Sequence, residues 1–180
     1  MDKKTLKHRI LTNTAEISFS PVSFETLLEE YDSYSGRFIK NYDRETLITQ
    51  KSQGRFDIGG AHIHHDGIHT RSFLMENVDG WLSITRMISY QFPMLPVLTV
   101  CQPLLEYAKK TNHIGIMASV NAENRVYLNC FDHDSKSNSR LSCYPIYAIH
   151  RQTVDKMTLR ENIMYNGVLQ HLMYYPIKND

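Results

Sequence analysis

Four of the nine histidines, His62, His64, His65 and His69, crowd into one short segment and flank the pair Asp66-Gly67. Imidazole titrates near neutral pH and is a common metal ligand, so this concentration admits proton transfer or metal binding. Asp-Gly is a strong two-residue hairpin signal, because a type I′ turn needs positive φ at both centres. With Asp66 and Gly67 at the turn, His65 faces Ile68, His64 faces His69 and His62 faces Arg71 across the ladder. Alternation then puts His62, His64 and His69 on one face, with Ala61, Ile63 and Ile68 on the other. Two histidines at i and i+2, with a third on the neighbouring strand, can hold zinc or iron with a position open to water. In this register Arg71 shares their face and no carboxylate is evident beside them, so a dication lacks compensation and no metal is expected. His62, His64 and His69 stand as the alternative metal set; the other readings are a general base, or a polar hairpin face without a role.

Around this hairpin the elements that position it are readable. Ala15 to Phe19 alternates with period two, which suits a strand ended by Pro21. Phe24, Leu27, Leu28 and Tyr31 fall at i, i+3, i+4 and i+7, a helix that Ser23 can cap, with Glu25 in its first turn and Gly36 closing it. A second short helix is placed between Phe38 and Gln50. Asn77-Val78-Asp79-Gly80 marks another, longer hairpin turn. Beyond it Leu82, Ile84, Ile88 and Tyr90 alternate with Ser83, Thr85 and Ser89, so three antiparallel strands stand in a row. Leu104 to Lys110 reads as helix with Pro103 at its first position, and Ile114 to Val120 as a buried strand. Asn121 to Cys130 reads as a helical turn region, residues 132–140 as a polar loop, and Leu141 to His150, which contains Pro145, as an irregular or edge strand. Asn166-Gly167 centres a last hairpin. The pattern predicts an α+β fold in one domain over residues 1–180: a mixed, mostly antiparallel sheet with helices on both faces.

With 42% hydrophobic and 22% charged residues the 180-residue chain is ordinary globular material. A net charge of +1 leaves no field to hold a phosphate backbone or an anionic membrane, so neither nucleic acid nor membrane is an expected partner. Cys101, Cys130 and Cys143 cannot all pair and have no close spacing, which suits a reducing, cytoplasmic setting; Cys101 reads as buried and inert. The most apolar run, Phe92 to Cys101, carries Pro93 and Pro96 and is far short of the roughly 20 residues of a membrane span. Met157, Met164 and Met173, with Tyr165, Tyr174 and Tyr175, pack the last hairpin or a homodimer contact.

This order of elements resembles the GNAT acyltransferase fold, and the likeness is concentrated in Leu82 to Leu128: a strand, a turn, the helix Leu104 to Asn112, the strand Ile114 to Val120 and the segment Asn121 to Tyr127. The resemblance implies transfer of an acyl group, such as acetyl, from acetyl-CoA or another acyl-CoA to an amine on a small molecule or peptide. It implies that backbone N–H groups ahead of the central helix hold the pyrophosphate, which makes Val97, Leu98, Thr99 and Val100 cofactor-binding candidates. The corresponding stretch, Phe92 to Val100, has no glycine and loses two donors to Pro93 and Pro96, a glycine-poor form similar to phage-type members. The resemblance further implies that Asn121 and Asn124 contact the cofactor, that a backbone N–H near Ser89 polarises the thioester carbonyl, and that Tyr127 returns a proton to the sulfur. His69 or His64 is then the base that deprotonates the amine. The glycine-poor loop supports an alternative, a catalytically degenerate member serving as a binding module.

Overall fold

The computed structural model describes residues 1–34, 43–90, 96–122, 142–155, 158–165 and 168–177. Seven strands, β1 (Ile17–Val22), β2 (Gly60–His65), β3 (Ile68–Val78), β4 (Trp81–Ser89), β5 (Gly115–Asn121), β6 (Thr158–Tyr165) and β7 (Val168–Pro176), form one sheet in the order β1-β2-β3-β4-β5-β7-β6. Only β4 and β5 run parallel; the other neighbours are antiparallel. Both turn signals act as their chemistry requires. Asp66 and Gly67 have φ of 50° and 75°, and Asp79 and Gly80 have 50° and 87°. Because Val78 pairs with Trp81, the second turn is a two-residue one, shorter than the sequence suggests. Pro21 does not end β1: it pairs with Ala61 on the outermost strand, where a missing donor is tolerated.

Five helices are described: α1 (Lys3–Leu11), α2 (Phe24–Ser33), α3 (Arg44–Ser52), α4 (Pro96–Lys110) and α5 (Pro145–Asp155). In α2 the Ser23 hydroxyl accepts from the Thr26 N–H at 3.1 Å, and Phe24, Leu27, Leu28 and Tyr31 are its buried stripe, as the spacing predicts. Proline misplaces two other helices in the sequence. Helix α4 starts at Pro96 and contains Pro103 in its interior, because the buried row Val100, Leu104 and Ala108 outweighs the one ladder bond lost there. Pro145 opens α5, where an N–H is not needed, so the segment read as an irregular strand is helical. Helix α1 carries Leu6, Ile10 and Leu11 on one face beneath a basic exterior that hides the pattern. Gly36, the 132–140 segment and Asn166-Gly167 lie outside the described residues, although Tyr165 and Val168 pair as the last hairpin requires.

Helices cover both faces of the sheet. On one, α2 and α3 bury Leu27, Tyr31, Leu47 and Phe56 against Leu74 and Ile88. On the other, α4 packs Val100, Leu104 and Ala108 on Ile63, Phe73 and Leu82, while α1 and α5 meet through Leu6, Ile10, Leu11, Ile146 and Tyr147. Cys101 is buried, Cys143 exposed, and no described helix is long and apolar enough to cross a membrane.

Helix α2 lies close to the sheet because Gly60, at the start of β2, has no side chain: a Cβ there would overlap Leu27 Cδ1 and the backbone oxygen of Phe73. The Leu27 tip can move, but the Phe73 carbonyl cannot without breaking the strand. Gly60→Ala is therefore expected to cost roughly 1–3 kcal/mol, read as a fall of about 2–12 °C in melting temperature by calorimetry or circular dichroism. An unchanged melting temperature would show that α2 is not held at this separation.

Candidate active site

The hairpin register departs from simple alternation at one residue. His65 pairs with Ile68 and His64 with His69, but then Ile63 pairs with Arg71 and His62 with Ser72, so Thr70 is an extra residue in β3. This bulge is held by its own side chain, whose hydroxyl donates to the Ile63 carbonyl at 3.1 Å. A one-residue shift exchanges faces. Arg71, expected beside the histidines, goes instead to the opposite face with Ile63 and is 1% exposed, its Nη1 donating to the Thr70 carbonyl at 2.6 Å. Ser72 takes its place. The ring centroids of His62 and His69 stand 4.4 Å apart, those of His64 and His69 4.9 Å, and those of His62 and His64 6.1 Å.

The carboxylate that the sequence does not reveal comes from α2. Glu30 reaches the histidine face, with Oε1 2.5 Å from His62 Nε2 but off the line of a ring N–H hydrogen bond. Its other oxygen, Oε2, accepts from the Ser72 hydroxyl at 2.6 Å and from the Tyr90 hydroxyl at 2.8 Å. His69 Nε2 lies 2.9 Å from both the Arg71 carbonyl and the Ser72 hydroxyl. A carbonyl only accepts, so Nε2 carries the proton in the neutral ring and the lone pair sits on Nδ1. Burial opposes ionisation of Glu30, yet the donors Ser72 and Tyr90 and the charges of His62 and His69 hold its pKa below the usual value. Burial, then the neighbouring His62, lowers the pKa of His69. Burial and the contact with Glu30 raise that of Tyr90.

A second bulge lies in β4. Ser72 pairs with Ile88 but Leu74 with Thr85, and Arg86 in the gap has φ of 52°. The Tyr31 hydroxyl of α2 donates to the Arg86 carbonyl at 2.5 Å, and the Tyr34 hydroxyl to the Ser89 carbonyl at 3.3 Å. The parallel ladder to β5 joins Trp81 through Ile84 with Gly115 through Ala118 and stops there. Residues 85–89 and 119–121 therefore make no ladder with one another, while β5 remains paired with β7 as far as Asn121 and Gln170. Ser89 Oγ is buried at this end without a partner among the described residues.

Comparison with known proteins agrees with this geometry. The chain is similar to the ribosomal-protein-S18-alanine N-acetyltransferase of Escherichia coli, with 12% identity, a TM-score of 0.55 and coverage of 92% of this chain and 96% of that one. It is similar to NAA60 of Arabidopsis thaliana in complex with acetyl-CoA, with 14% identity, a TM-score of 0.51 and coverage of 90% and 100%. Ard1 of Thermoplasma volcanium aligns over 91% and 99% with 10% identity and a TM-score of 0.52. The fold is that of the GNAT acetyltransferases. No protein-family model matches the chain, and no curated protein matches it in sequence.

Within the GNAT fold, the residues singled out in the sequence separate into groups. His62, His64 and His69 do converge, joined by Glu30, Ser72 and Tyr90. Ser89 ends β4, beyond the last residue paired with β5. Val97 and Leu98 stand in the first turn of α4, where their N–H groups have no helical acceptor. Val100 does not belong with them. In a helix beginning at Pro96 the N–H of Thr99 is already turned back to a helical carbonyl and that of Val100 follows it, and the Val100 side chain is in the core. Asn121 ends β5, whereas Asn124, Tyr127 and residues 91–95 lie outside the described residues. A groove of about 640 Å³ between β1 and α4, lined by Phe19, Gln102, Glu106, Tyr107 and Lys110 among others, holds no histidine.

On the opposite face of β2, His65 is 1% exposed, its Nδ1 2.8 Å from the Thr70 hydroxyl. That hydroxyl already donates to Ile63, so Nδ1 donates and Nε2 is buried without a partner among the described residues. Burial, with Arg71 nearby, lowers the pKa of His65 from 6.5 to about 4 against the opposing pull of Asp66, with His64 adding to the drop. The unfolded chain takes up this proton near pH 6.5 and the folded chain only near 4, so the stability linked to His65 is complete above 6.5 and declines as pH falls toward 4. The loss amounts to roughly 3 kcal/mol. Asp66, held at about 2 chiefly by the Arg9 side chain, does not titrate in that window. Urea midpoints are expected to fall between pH 7 and 4.5 in the wild type and to fall less in His65→Gln; equal declines would remove His65 as the cause.

Proposed function

We propose that the protein transfers an acyl group from acyl-CoA to an amine. The end of the β4–β5 ladder beyond Ile84, with the bulge at Arg86, is the observation that carries this reading, since it leaves the facing edges of two central strands unpaired with one another, where a slot for the thioester is proposed. The groups around the slot fit an acyl-CoA. The N–H groups of Val97 and Leu98 would hold the pyrophosphate at the α4 N-terminus, with Thr99 at the end of the same turn, although Pro96 gives no donor. Ser89 offers a hydroxyl without a partner among the described residues, where the thioester would lie, and its strand end the backbone donor that would polarise the carbonyl. Acyl-CoA supplies the acyl group already activated as a thioester. Asn121 and Asn124 are the proposed amide contacts, and Tyr127 the proposed proton donor to the sulfur.

His69 is the preferred base. Its Nε2–H is fixed on the Arg71 carbonyl, so the lone pair on Nδ1 takes the proton from the amine, and Glu30, 2.5 Å from His62, steadies the positive charge that results. His64, stacked on His69, is placed to position the ring. The acceptor is an amine on a small molecule or a peptide; the E. coli protein of this fold is named for an alanine of a ribosomal protein.

Millimolar acetyl-CoA is expected to raise the melting temperature of the purified chain, and thiol release with a panel of amines is expected to follow. In His69→Gln the melting shift should persist while kcat/KM falls by about 10²–10⁴-fold. No shift with acetyl-CoA would overturn the proposal, and a shift without turnover on any amine would mark a binding module in its place.

A further inference from the structure

We propose that Glu30, His62 and His69 form a binding site for a divalent transition-metal ion of the zinc type. One ligand atom from each side chain lies within 4.8 Å of the other two. In a four-coordinate zinc site such atoms stand roughly 3.4 Å apart, given bonds of about 2.0–2.1 Å, so small side-chain rotations close the set. Two imidazoles and one carboxylate are a donor set that zinc accepts, with a remaining position for water or a substrate atom.

The surroundings support the set in the way outer groups support metal ligands. His69 is fixed by a ring N–H on a backbone carbonyl, that of Arg71. Glu30 has one oxygen held by the neutral donors Ser72 and Tyr90, leaving Oε1 for the ion. His62 Nε2 is buried beside Oε1 without a directed hydrogen bond, which is how two ligands stand when neither proton nor metal is aligned between them. Both objections that the sequence raises against a metal are removed by the fold. The Thr70 bulge sends Arg71 to the other face, and α2 delivers the missing carboxylate. His64 is outside the set.

The site stands on geometry alone, but its consequence for catalysis rests on His69 being the base. A neutral imidazole has one lone pair, so an ion on His69 removes the proton acceptor and stops transfer. Zinc would then act as a reversible inhibitor at the acceptor side of the proposed slot.

The test uses the full chain without a histidine tag. Co²⁺, whose visible absorption reports its coordination, is expected to bind at one equivalent and to be displaced by Zn²⁺, and micromolar Zn²⁺ to raise the melting temperature. Glu30→Gln and His62→Ala should each weaken Co²⁺ binding at least about tenfold. Absence of both the Co²⁺ spectrum and the Zn²⁺ melting shift in the wild type overturns the site whether or not a variant folds; so does Co²⁺ affinity unaltered by Glu30→Gln. Stoichiometric Zn²⁺ that leaves acetyl transfer unaffected keeps the site and removes His69 as base. Transfer without any metal binding rejects the site and leaves the function standing.

Discussion

A strand shows its side chains to alternate faces, so a single extra residue reverses every assignment beyond it, and two such residues organise this molecule. Thr70 in β3 sends Arg71 into the core side and turns Ser72 toward α2. Arg86 in β4 bends the strand where its ladder with β5 ends. The two irregularities lie at the same end of the sheet and are joined: the Tyr90 N–H, just past β4, donates to the Thr70 carbonyl at 3.0 Å. Without the first bulge a guanidinium would sit among the histidines. The second coincides with the end of the β4–β5 ladder, which stops at Ile84 and Ala118.

The last turns of α2 hold both devices in place. Tyr31 ties the Arg86 carbonyl, Tyr34 the Ser89 carbonyl, and Glu30 gathers Ser72, Tyr90 and His62. The Tyr31 hydroxyl is deeply buried, and burial raises its pKa, so it remains a neutral donor. Such a clamp works only if the helix lies close to the sheet, which Gly60 allows beneath Leu27. Packing in the α2–α3 core thereby sets the position of a carboxylate one turn along the same helix. A shift of α2 by an ångström would exceed the tolerance of a hydrogen bond at 2.6 Å.

Local chemistry was legible in the sequence wherever it was decided locally. The Asp66-Gly67 turn, the pairing of His64 with His69, the Ser23 cap and the stripe of α2 follow from φ preferences and periodicity, and the order of elements was enough to identify the fold. What depends on chain-distant contact was not legible. No pattern in Ile68 to Val78 marks Thr70 as unpaired, because its bulge is stabilised by the Ile63 carbonyl and His65 across the ladder. Glu30 looks like any solvated helix carboxylate until α2 docks. Proline misled in two ways: Pro103, read as a first helical position, lies inside α4, where the buried row outweighs its lost bond, and Pro145, read as interrupting a strand, opens α5, where its missing N–H is not needed.

The histidine face cannot be a merely solvated surface, because α2 covers part of it and Glu30 is drawn in from solvent. The Glu30 side chain is 22% exposed and that of His62 16%, so their polar atoms lose water and must be compensated by one another. Ser72 and Tyr90 satisfy one carboxylate oxygen, and the other faces a ring nitrogen with which it makes no aligned bond. That leaves one position in the cluster where a cation is favoured, whether it arrives as a proton on an imidazole, as an ammonium group of an acceptor, or as a metal ion. All three draw on the same carboxylate charge. Their competition is a property of the geometry itself, and it is why a single substitution at Glu30 acts on every one of them.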